Sequence, residues 1–281
     1  MINIQNVARI VWAGAEEKAK GEILLHEVRQ RSYDLEWYAV RDGLRRANIT
    51  SSEDEEMVIR RIRDMQLNYK ILGRYKAYRG YSHTLQSANP GEPTCTYFAI
   101  AKTNEDAKLM AEAFKTFDNA TQGELLGYPK CCSEAFDARW KWKEHDHVFQ
   151  AALAQADNCS HEELCSREHM MAVCAGMQMN SSNTVHMNLS GIGHTNQFFR
   201  YSGPRLIHHL PCRFDCVESI RVAKEYENLE RHIFGDTKLY TFLNQPFTAS
   251  LYRGIVEVTT NSFRIISATD FTATKYIIKV S

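Results

Sequence analysis

The chain reads HHLPCRFDC over residues 208–216 and GYPKCCS over residues 127–133. Each stretch places a proline just ahead of two cysteines, and proline is favoured at the first position of a helix, where its missing N–H costs nothing. We therefore expect one helix to begin at Pro129 and another at Pro211. Each cysteine pair then lies in a first helical turn, where free N–H groups and the helix dipole stabilise a thiolate.

The spacing within each pair predicts how its sulfur atoms are directed. Cys212 and Cys216 are four residues apart, so one turn of helix puts both on the same side, with Cβ atoms about 6 Å apart. Adjacent residues at a helix start point about 100° apart, so only one of Cys131 and Cys132 is expected to face a shared site directly. His209 lies just ahead of the second helix.

Thiolate and imidazole groups in this pattern suit zinc or an iron–sulfur cluster. If the two helices converge, the predicted metal ligands are Cys131, Cys132, His209, Cys212 and Cys216. The alternative interpretation is that these cysteines are ordinary core residues, because free cysteine is among the most buried residue types.

The number and distribution of cysteines bear on their chemistry. The chain has 8 cysteines, and without an export signal they are expected to be reduced thiols. A third cluster could form a second metal site, although it lacks the tight C-x-x-C pairs of common zinc modules. Its members are Cys159, Cys165, His169 and Cys174.

Composition excludes several classes of protein. The chain has 281 residues, of which 44% are hydrophobic and 24% charged, and this excludes a disordered, collagen-like or coiled-coil protein. Lys plus Arg and Asp plus Glu both total 34, so the net charge provides no global attraction to nucleic acid or to an anionic membrane. Early charged residues argue against a secretory signal, and no apolar run of about 18 residues occurs. We therefore expect a soluble, cytoplasmic protein that has no membrane partner.

Periodicity in the N-terminal third predicts helices. Apolar residues recur at helical spacing over residues 51–72, where Ser52 and Glu55 offer a capping box. Residues 18–46 also favour a helix. We therefore predict a helical N-terminal unit over residues 1–88.

The rest of the chain mixes helices and strands. TYFAIA, residues 96–101, predicts a buried strand, and Asn104 is expected to cap a helix that turns Phe117 inward. β-branched runs near the C-terminus predict strands; they cover residues 254–260, 263–268 and 276–280. The predicted fold class is α+β, with a Cys/His-rich mixed α/β domain over residues 89–281 that ends in antiparallel strands.

Two further segments point toward a nucleotide or nucleic acid. KILGRYKAYRGYSH, residues 70–83, interleaves basic residues with tyrosines, as a single-stranded nucleic acid or a phosphorylated ligand requires. LSGIGHT, residues 189–195, resembles the hairpin of helix-hairpin-helix motifs, whose glycines let N–H groups approach a phosphate. The alternatives are a solvated helix end and an ordinary tight turn.

The cysteine motifs also resemble those of a known family. GELLGYPKCCSEAF (123–136) and HHLPCRFDCVESI (208–220) are similar to the paired signatures Leu-Gly-Tyr-Pro-x-Cys-Cys and His-x-Pro-Cys-x-x-x-Cys of an uncharacterised archaeal and bacterial domain family. LYRGIVEVTTNSFRI (251–265) resembles a third block, so the resemblance covers residues 97–280. It implies that the five predicted ligands are the family's marked positions, with Arg213 in place of a small serine. It brings no established activity.

Three functions are consistent with these patterns. The first is a transferase-type enzyme whose metal or iron–sulfur site carries out group transfer or base modification on a nucleotide or nucleic acid. In that enzyme Cys131, His209 and Asp215 are catalytic, while Lys130 and Arg213 bind an anionic group of the substrate. The second is a metal-free transferase in which a cysteine of the vicinal pair is the thiolate nucleophile. The third is a binding module with structural zinc.

Overall fold

The computed structural model describes residues 8–12, 14–77, 85–140, 147–156, 184–250, 255–258, 263–267 and 275–280. Within these residues the strands are β1 (Ala8–Trp12), β2 (Ala47–Ser52), β3 (Asn68–Lys76), β4 (Thr94–Ala101), β5 (Thr184–Leu189), β6 (Phe247–Ser250), β7 (Ile255–Val258), β8 (Phe263–Ser267) and β9 (Lys275–Val280). The helices are α1 (Ala15–Arg41), α2 (Glu55–Asp64), α3 (Asn104–Thr116), α4 (Asn119–Leu125), α5 (Lys130–Trp140), α6 (His147–Ala156), α7 (Val217–Phe234) and α8 (Lys238–Leu243). The predicted α+β fold class is confirmed.

The chain divides into two compact units. The first comprises Met1–Asn6 and Asp34–Lys130, and the second comprises Val7–Tyr33 and Cys131–Ser281. This division differs from the boundary expected between residues 88 and 89, because β4 follows that boundary and pairs with both β2 and β3, which precede it. Among the described helices, none has the length and apolar character that a membrane crossing requires.

The first unit is built on a three-stranded antiparallel sheet in the order β2-β4-β3. The TYFAIA segment lies in the central strand, as predicted. Three buried alanines of the sheet, Ala47, Ala99 and Ala101, pack against buried side chains of α3 and α4 such as Met110 and Leu125. Small side chains on the sheet let the helices approach it closely, and the partly buried Ile49 and Leu72 of the sheet pack against the same cluster.

Two expectations for α3 need correction. Its N-cap is Thr103, whose hydroxyl accepts a hydrogen bond from the Asp106 N–H at 3.1 Å, and Asn104 is already helical. Phe117 follows the helix in a left-handed conformation and is 84% exposed. Its side chain points away from the core because the chain has left the helical path by that residue.

The N-terminal helix predicted from the sequence is present, but the strands β1, β2 and β3 also lie within residues 1–88. The α1 helix matches the predicted helix over residues 18–46, but the helix expected over residues 51–72 is only α2. Asp54 caps α2 by accepting from the Met57 N–H at 2.9 Å, so the Ser52–Glu55 capping box does not form. Gln66 has a φ of 55°, which ends the helical path, and β3 follows.

The second unit contains a six-stranded sheet in the order β1-β8-β7-β6-β9-β5. All neighbours are antiparallel except β5 and β9, which are parallel. The three predicted C-terminal strands are present as β7, β8 and β9, and the first two pair antiparallel. The α7 helix buries Ser219, Ala223, Tyr226, Leu229 and Glu230, so one face of it lies in the interior of this unit.

Glu230 is a buried carboxylate that joins three elements of the second unit. Its two oxygens accept from the N–H groups of Leu239 at 2.6 Å and Tyr240 at 3.2 Å, and one also accepts from Arg31 at 3.2 Å. Burial raises the pKa of Glu230, while these three hydrogen bonds oppose the rise. The carboxylate thus satisfies two N–H groups at the start of α8 that the helix cannot satisfy itself.

Replacing Glu230 with alanine is expected to lower the free energy of unfolding by about 3 kcal/mol, because buried N–H groups and Arg31 lose a charged partner. Urea unfolding followed by circular dichroism measures the change. Glu225→Ala is the matched control on the same helix, where Glu225 forms an exposed pair with Arg221, and a loss below about 0.5 kcal/mol is expected there. Equal losses in the two variants would contradict the capping assignment.

Glu55 predicts a pH dependence for the first unit. Its carboxylate accepts from Arg74 at 2.7 and 3.0 Å and from the Thr96 hydroxyl, and these bonds lower its pKa from 4.5 to about 2. A depressed folded-state pKa stabilises the fold above the unfolded value, and this stabilisation disappears as the pH falls from 4.5 toward 2. The stability difference between wild type and Glu55→Gln should therefore be constant from pH 7 to 5 and shrink between pH 4.5 and 2. Unfolding titrations at each pH measure it, and a difference that stays constant down to pH 2 would refute the pairing.

Candidate metal centre

Four cysteine sulfurs from the two proline-cysteine stretches come together in the second unit. The Sγ atoms of Cys131 and Cys132 are 3.9 Å apart, and each lies 3.8 Å from Sγ of Cys216. With Cys212 included, the four ligand atoms all lie within 4.8 Å of one another. This cluster, which we call the four-cysteine centre, could hold a metal ion.

The first pair is positioned as the sequence predicts, with one difference. Cys131 and Cys132 lie in the first turn of α5, directly after Pro129 and Lys130. We expected only one of the two to face the site, but both sulfurs approach Cys216.

The second pair comes together by a route that differs from the prediction. The helix expected at Pro211 begins only at Val217, and Cys216 is its N-cap. The residues between form a turn, in which the Cys216 N–H donates to the Arg213 carbonyl at 3.2 Å. Cys212 and Cys216 therefore converge through a folded loop and not along one helical face.

Phe214 anchors this loop in the core of the second unit. Its side chain is fully buried, and its ring centroid lies 5.3 Å from that of Phe198. Phe198 in turn packs on Phe247 at 5.2 Å, and the Phe214 carbonyl accepts from the Thr195 hydroxyl. A buried aromatic residue midway between two cysteines fixes the loop, so the two sulfurs are held by packing as well as by their own contacts.

Hydrogen bonds surround the most buried sulfur of the centre. Cys132 Sγ accepts from the Cys212 N–H at 3.3 Å and lies 3.1 Å from the Ser219 hydroxyl. The same hydroxyl lies 2.8 Å from Nε2 of the buried His209. His209, predicted as a ligand, is therefore not among the clustered donor atoms and reaches Cys132 through Ser219. Sequence reasoning missed Ser219, although its position three residues after Cys216 places it one turn along α7.

Proton sharing follows from this crowding of thiols. Hydrogen bonds from Cys132 and Cys212, and then from Ser219, lower the pKa of Cys216 far below its ordinary value. Hydrogen bonds to Cys212 and Cys216, together with burial, raise the pKa of Cys132 in the opposite direction. One thiolate is thus favoured among neighbouring thiols. A cation that binds all four sulfurs must displace the remaining protons.

The predicted substrate-binding and catalytic residues lie around this centre with partners of their own. Arg213 donates to both carboxylate oxygens of Asp215, at 2.8 and 2.9 Å, near the protein surface. Lys130 is the first residue of α5 and is exposed. Binding of an anion by Lys130 and Arg213, and catalysis by Asp215, stay predictions.

Several other sequence predictions meet a different outcome. Cys159, Cys165, Cys174 and His169 lie outside the described residues.

The glycine turn ends in a short 3-10 helix, Gly193–Thr195. A Cβ on Gly193 would collide with the Asn244 side chain, so close packing explains the glycine at this position. On β3, Arg74 pairs with Glu55 and Lys76 with Glu92, which removes part of the positive charge that the basic segment would offer to a phosphate.

No protein-family model, curated protein or solved structure matches the chain. The resemblance of the two motifs to an uncharacterised domain family therefore stays a prediction.

Phe214→Ala tests whether the loop between the second cysteine pair depends on its aromatic anchor. Removal of a fully buried ring leaves a cavity, and the expected loss in the free energy of unfolding is about 3–5 kcal/mol. Phe117→Ala removes the same ring from a position that is 84% exposed, and its expected effect is within about 0.5 kcal/mol. Urea unfolding measures both changes. A loss at Phe214 as small as that at Phe117 would mean that the loop is held in another way.

Proposed function

We propose that the chain is a zinc-binding protein in which Cys131, Cys132, Cys212 and Cys216 hold one Zn²⁺ and fasten the start of α5 to the start of α7. The observation that carries the proposal is the spacing of the sulfurs. A Zn–S bond of about 2.3 Å in a tetrahedral site gives sulfur–sulfur edges of about 3.8 Å. The observed separations among Cys131, Cys132 and Cys216 are 3.8, 3.8 and 3.9 Å.

The same spacing favours a single metal ion over an iron–sulfur cluster. In a four-iron cluster each cysteine binds a different iron atom, so the cysteine sulfurs are spread around the outside of the cluster. In the four-cysteine centre all ligand atoms lie within 4.8 Å of one another. A tetrahedral set of four thiolates is typical of zinc, because the d electrons of Zn²⁺ impose no other coordination geometry.

A set of four protein ligands also favours structural zinc over catalytic zinc. Catalytic zinc sites keep one coordination position for water or substrate, whereas structural sites are closed by four ligands. Three of the four cysteines are buried, with Cys132 at 1% exposure and Cys212 and Cys216 at 8%. Of the three functions considered from the sequence, the binding module with structural zinc therefore has the most support. Group transfer or base modification of a nucleotide or nucleic acid stays a prediction.

We further propose that the chain is a member of the domain family that its two motifs resemble. The support is that the four clustered sulfurs come from these two motifs alone, with one pair from each. If the family is defined by a shared metal centre, both motifs are required together, because neither pair provides four ligands.

Cys212→Ser tests the zinc site directly. The variant is expected to bind one zinc ion fewer per chain than the wild type, because a serine hydroxyl is a poor substitute for a thiolate. Elemental analysis of the purified chain gives the zinc content. Substitution of Co²⁺ should give the visible absorption of a tetrahedral tetrathiolate site in the wild type, with a weaker and shifted spectrum in the variant.

Cys95→Ser is the matched control, because Cys95 is a half-buried free thiol on β4 in the first unit. It should retain the wild-type zinc content. The proposal fails if the wild type takes up no zinc, or if Cys212→Ser binds as much zinc as the wild type. If an anaerobic preparation contains iron and acid-labile sulfide in place of zinc, the four-cysteine centre holds an iron–sulfur cluster and not a zinc ion.

A further inference from the structure

The four sulfurs of the centre differ in their access to solvent. Cys132, Cys212 and Cys216 are buried, whereas Cys131 is partly exposed. A reagent in solution therefore reaches the sulfur of Cys131 without opening the fold. The other three sulfurs are shielded by the protein that surrounds them.

The sulfurs also differ in their hydrogen bonds. Cys132 accepts from the Cys212 N–H and lies beside the Ser219 hydroxyl, and Cys216 is hydrogen-bonded by the side chain and the backbone of Ser219. In the described part of the chain, the partners of the Cys131 sulfur are the sulfurs of the other three cysteines. When a metal ion binds, the other three cysteines lose their thiol protons. None of these partners then donates a hydrogen bond to the Cys131 sulfur.

The solvent access of Cys131 and its lack of N–H or O–H donors both favour its nucleophilicity over that of the other three sulfurs. A hydrogen bond donated to a thiolate withdraws electron density from the sulfur and must be broken or weakened when that sulfur attacks a carbon atom. A thiolate that accepts no such bond and is open to solvent is therefore more nucleophilic than a buried thiolate that accepts one. Among the four metal-bound thiolates, these conditions are met best by Cys131.

We propose that zinc-bound Cys131 is a nucleophilic thiolate that accepts an alkyl group from a carbon electrophile. The sulfur lone pair forms an S–C bond, the bond between that carbon and its leaving group breaks, and the leaving group departs with the electron pair. No oxidant or reductant is required. The inference rests on the proposed zinc site and adds a reactive position to a centre that is otherwise closed.

The test is alkylation of the full zinc-loaded chain with iodoacetamide, in which iodide is the leaving group. Peptide mass spectrometry measures the rate at each cysteine, and fragmentation separates Cys131 from the adjacent Cys132. Cys131 is expected to react at least about tenfold faster than Cys132, Cys212 and Cys216. Its rate should change little between pH 6 and 8, because a zinc-bound sulfur is already a thiolate. A cysteine-containing reference peptide, with a thiol pKa of about 8.5, should react about tenfold faster per pH unit in most of that range.

Zinc content measured on the same samples separates the two proposals. A chain that binds no zinc overturns the zinc site and this inference together. Zinc bound with equal labelling of the four cysteines, or with no labelling of Cys131, overturns only the inference. A Cys131 rate that rises with pH like that of the reference peptide also overturns it, because Cys131 would then be a free thiol. Cys131→Ser should abolish the fast labelling, and Cys95→Ser should preserve it.

Discussion

Electrostatic repulsion between four closely spaced sulfurs is the constraint on which the second unit depends. Two unit charges about 4 Å apart cost about 4 kcal/mol at an effective dielectric constant of 20, and four thiolates would form six such pairs. Without a cation the centre must keep most of its protons, which agrees with the opposite pKa shifts of Cys132 and Cys216. With a divalent cation at its middle, four attractions outweigh the six repulsions, because each acts over a shorter distance and involves a double charge. The geometry therefore favours two states, one with a shared thiolate and one with four thiolates around a metal ion.

The protein around the centre provides positive potential where the second state needs it. Zn²⁺ with four thiolates has a net charge of −2, and the first turn of α5 and the N-cap of α7 both contribute cysteines to it. Each helix N-terminus carries an effective charge of about +0.5. The Cys212 N–H and the Ser219 hydroxyl add donors close to Cys132. Arg213, which follows Cys212 in the sequence, pairs with Asp215.

The sequence predicted the residues of the centre better than the path of the chain. Proline and cysteine positions identified both pairs, although only the first pair lies in the first turn of a helix. The loop from Pro211 to Cys216 was not predictable, since proline serves a turn as well as a first helical position, and only the burial of Phe214 among other aromatic rings decides between them. Ser219 is visible as a partner of Cys132 only after the two segments are brought together.

For the fold as well, local sequence patterns predicted some elements and missed those that depend on contacts between distant residues. The helical spacing of Tyr69 and Leu72 extended the predicted helix too far, because apolar residues three apart fit both a helix and an irregular strand. The left-handed Gln66 stops α2, and the pairing of β3 with β4 is a contact between distant parts of the sequence. The register of β1 on β8 joins residues near the two ends of the chain, and no local pattern encodes such a pairing.

The separation of the two cysteine pairs along the chain supports the proposed structural function of a bound metal independently of ligand geometry. A metal ion that joined Cys132 to Cys212 would close a loop of 80 residues. Closure entropy grows with the logarithm of loop length, and a covalent link across a loop of this size restricts the unfolded chain by about 4–5 kcal/mol. That is a large share of the total stability of about 5–15 kcal/mol that is typical of a folded protein. A metal that joined neighbouring residues would contribute much less, so the positions of the four cysteines favour the proposed structural zinc, which would stabilise the fold even with Cys131 partly exposed.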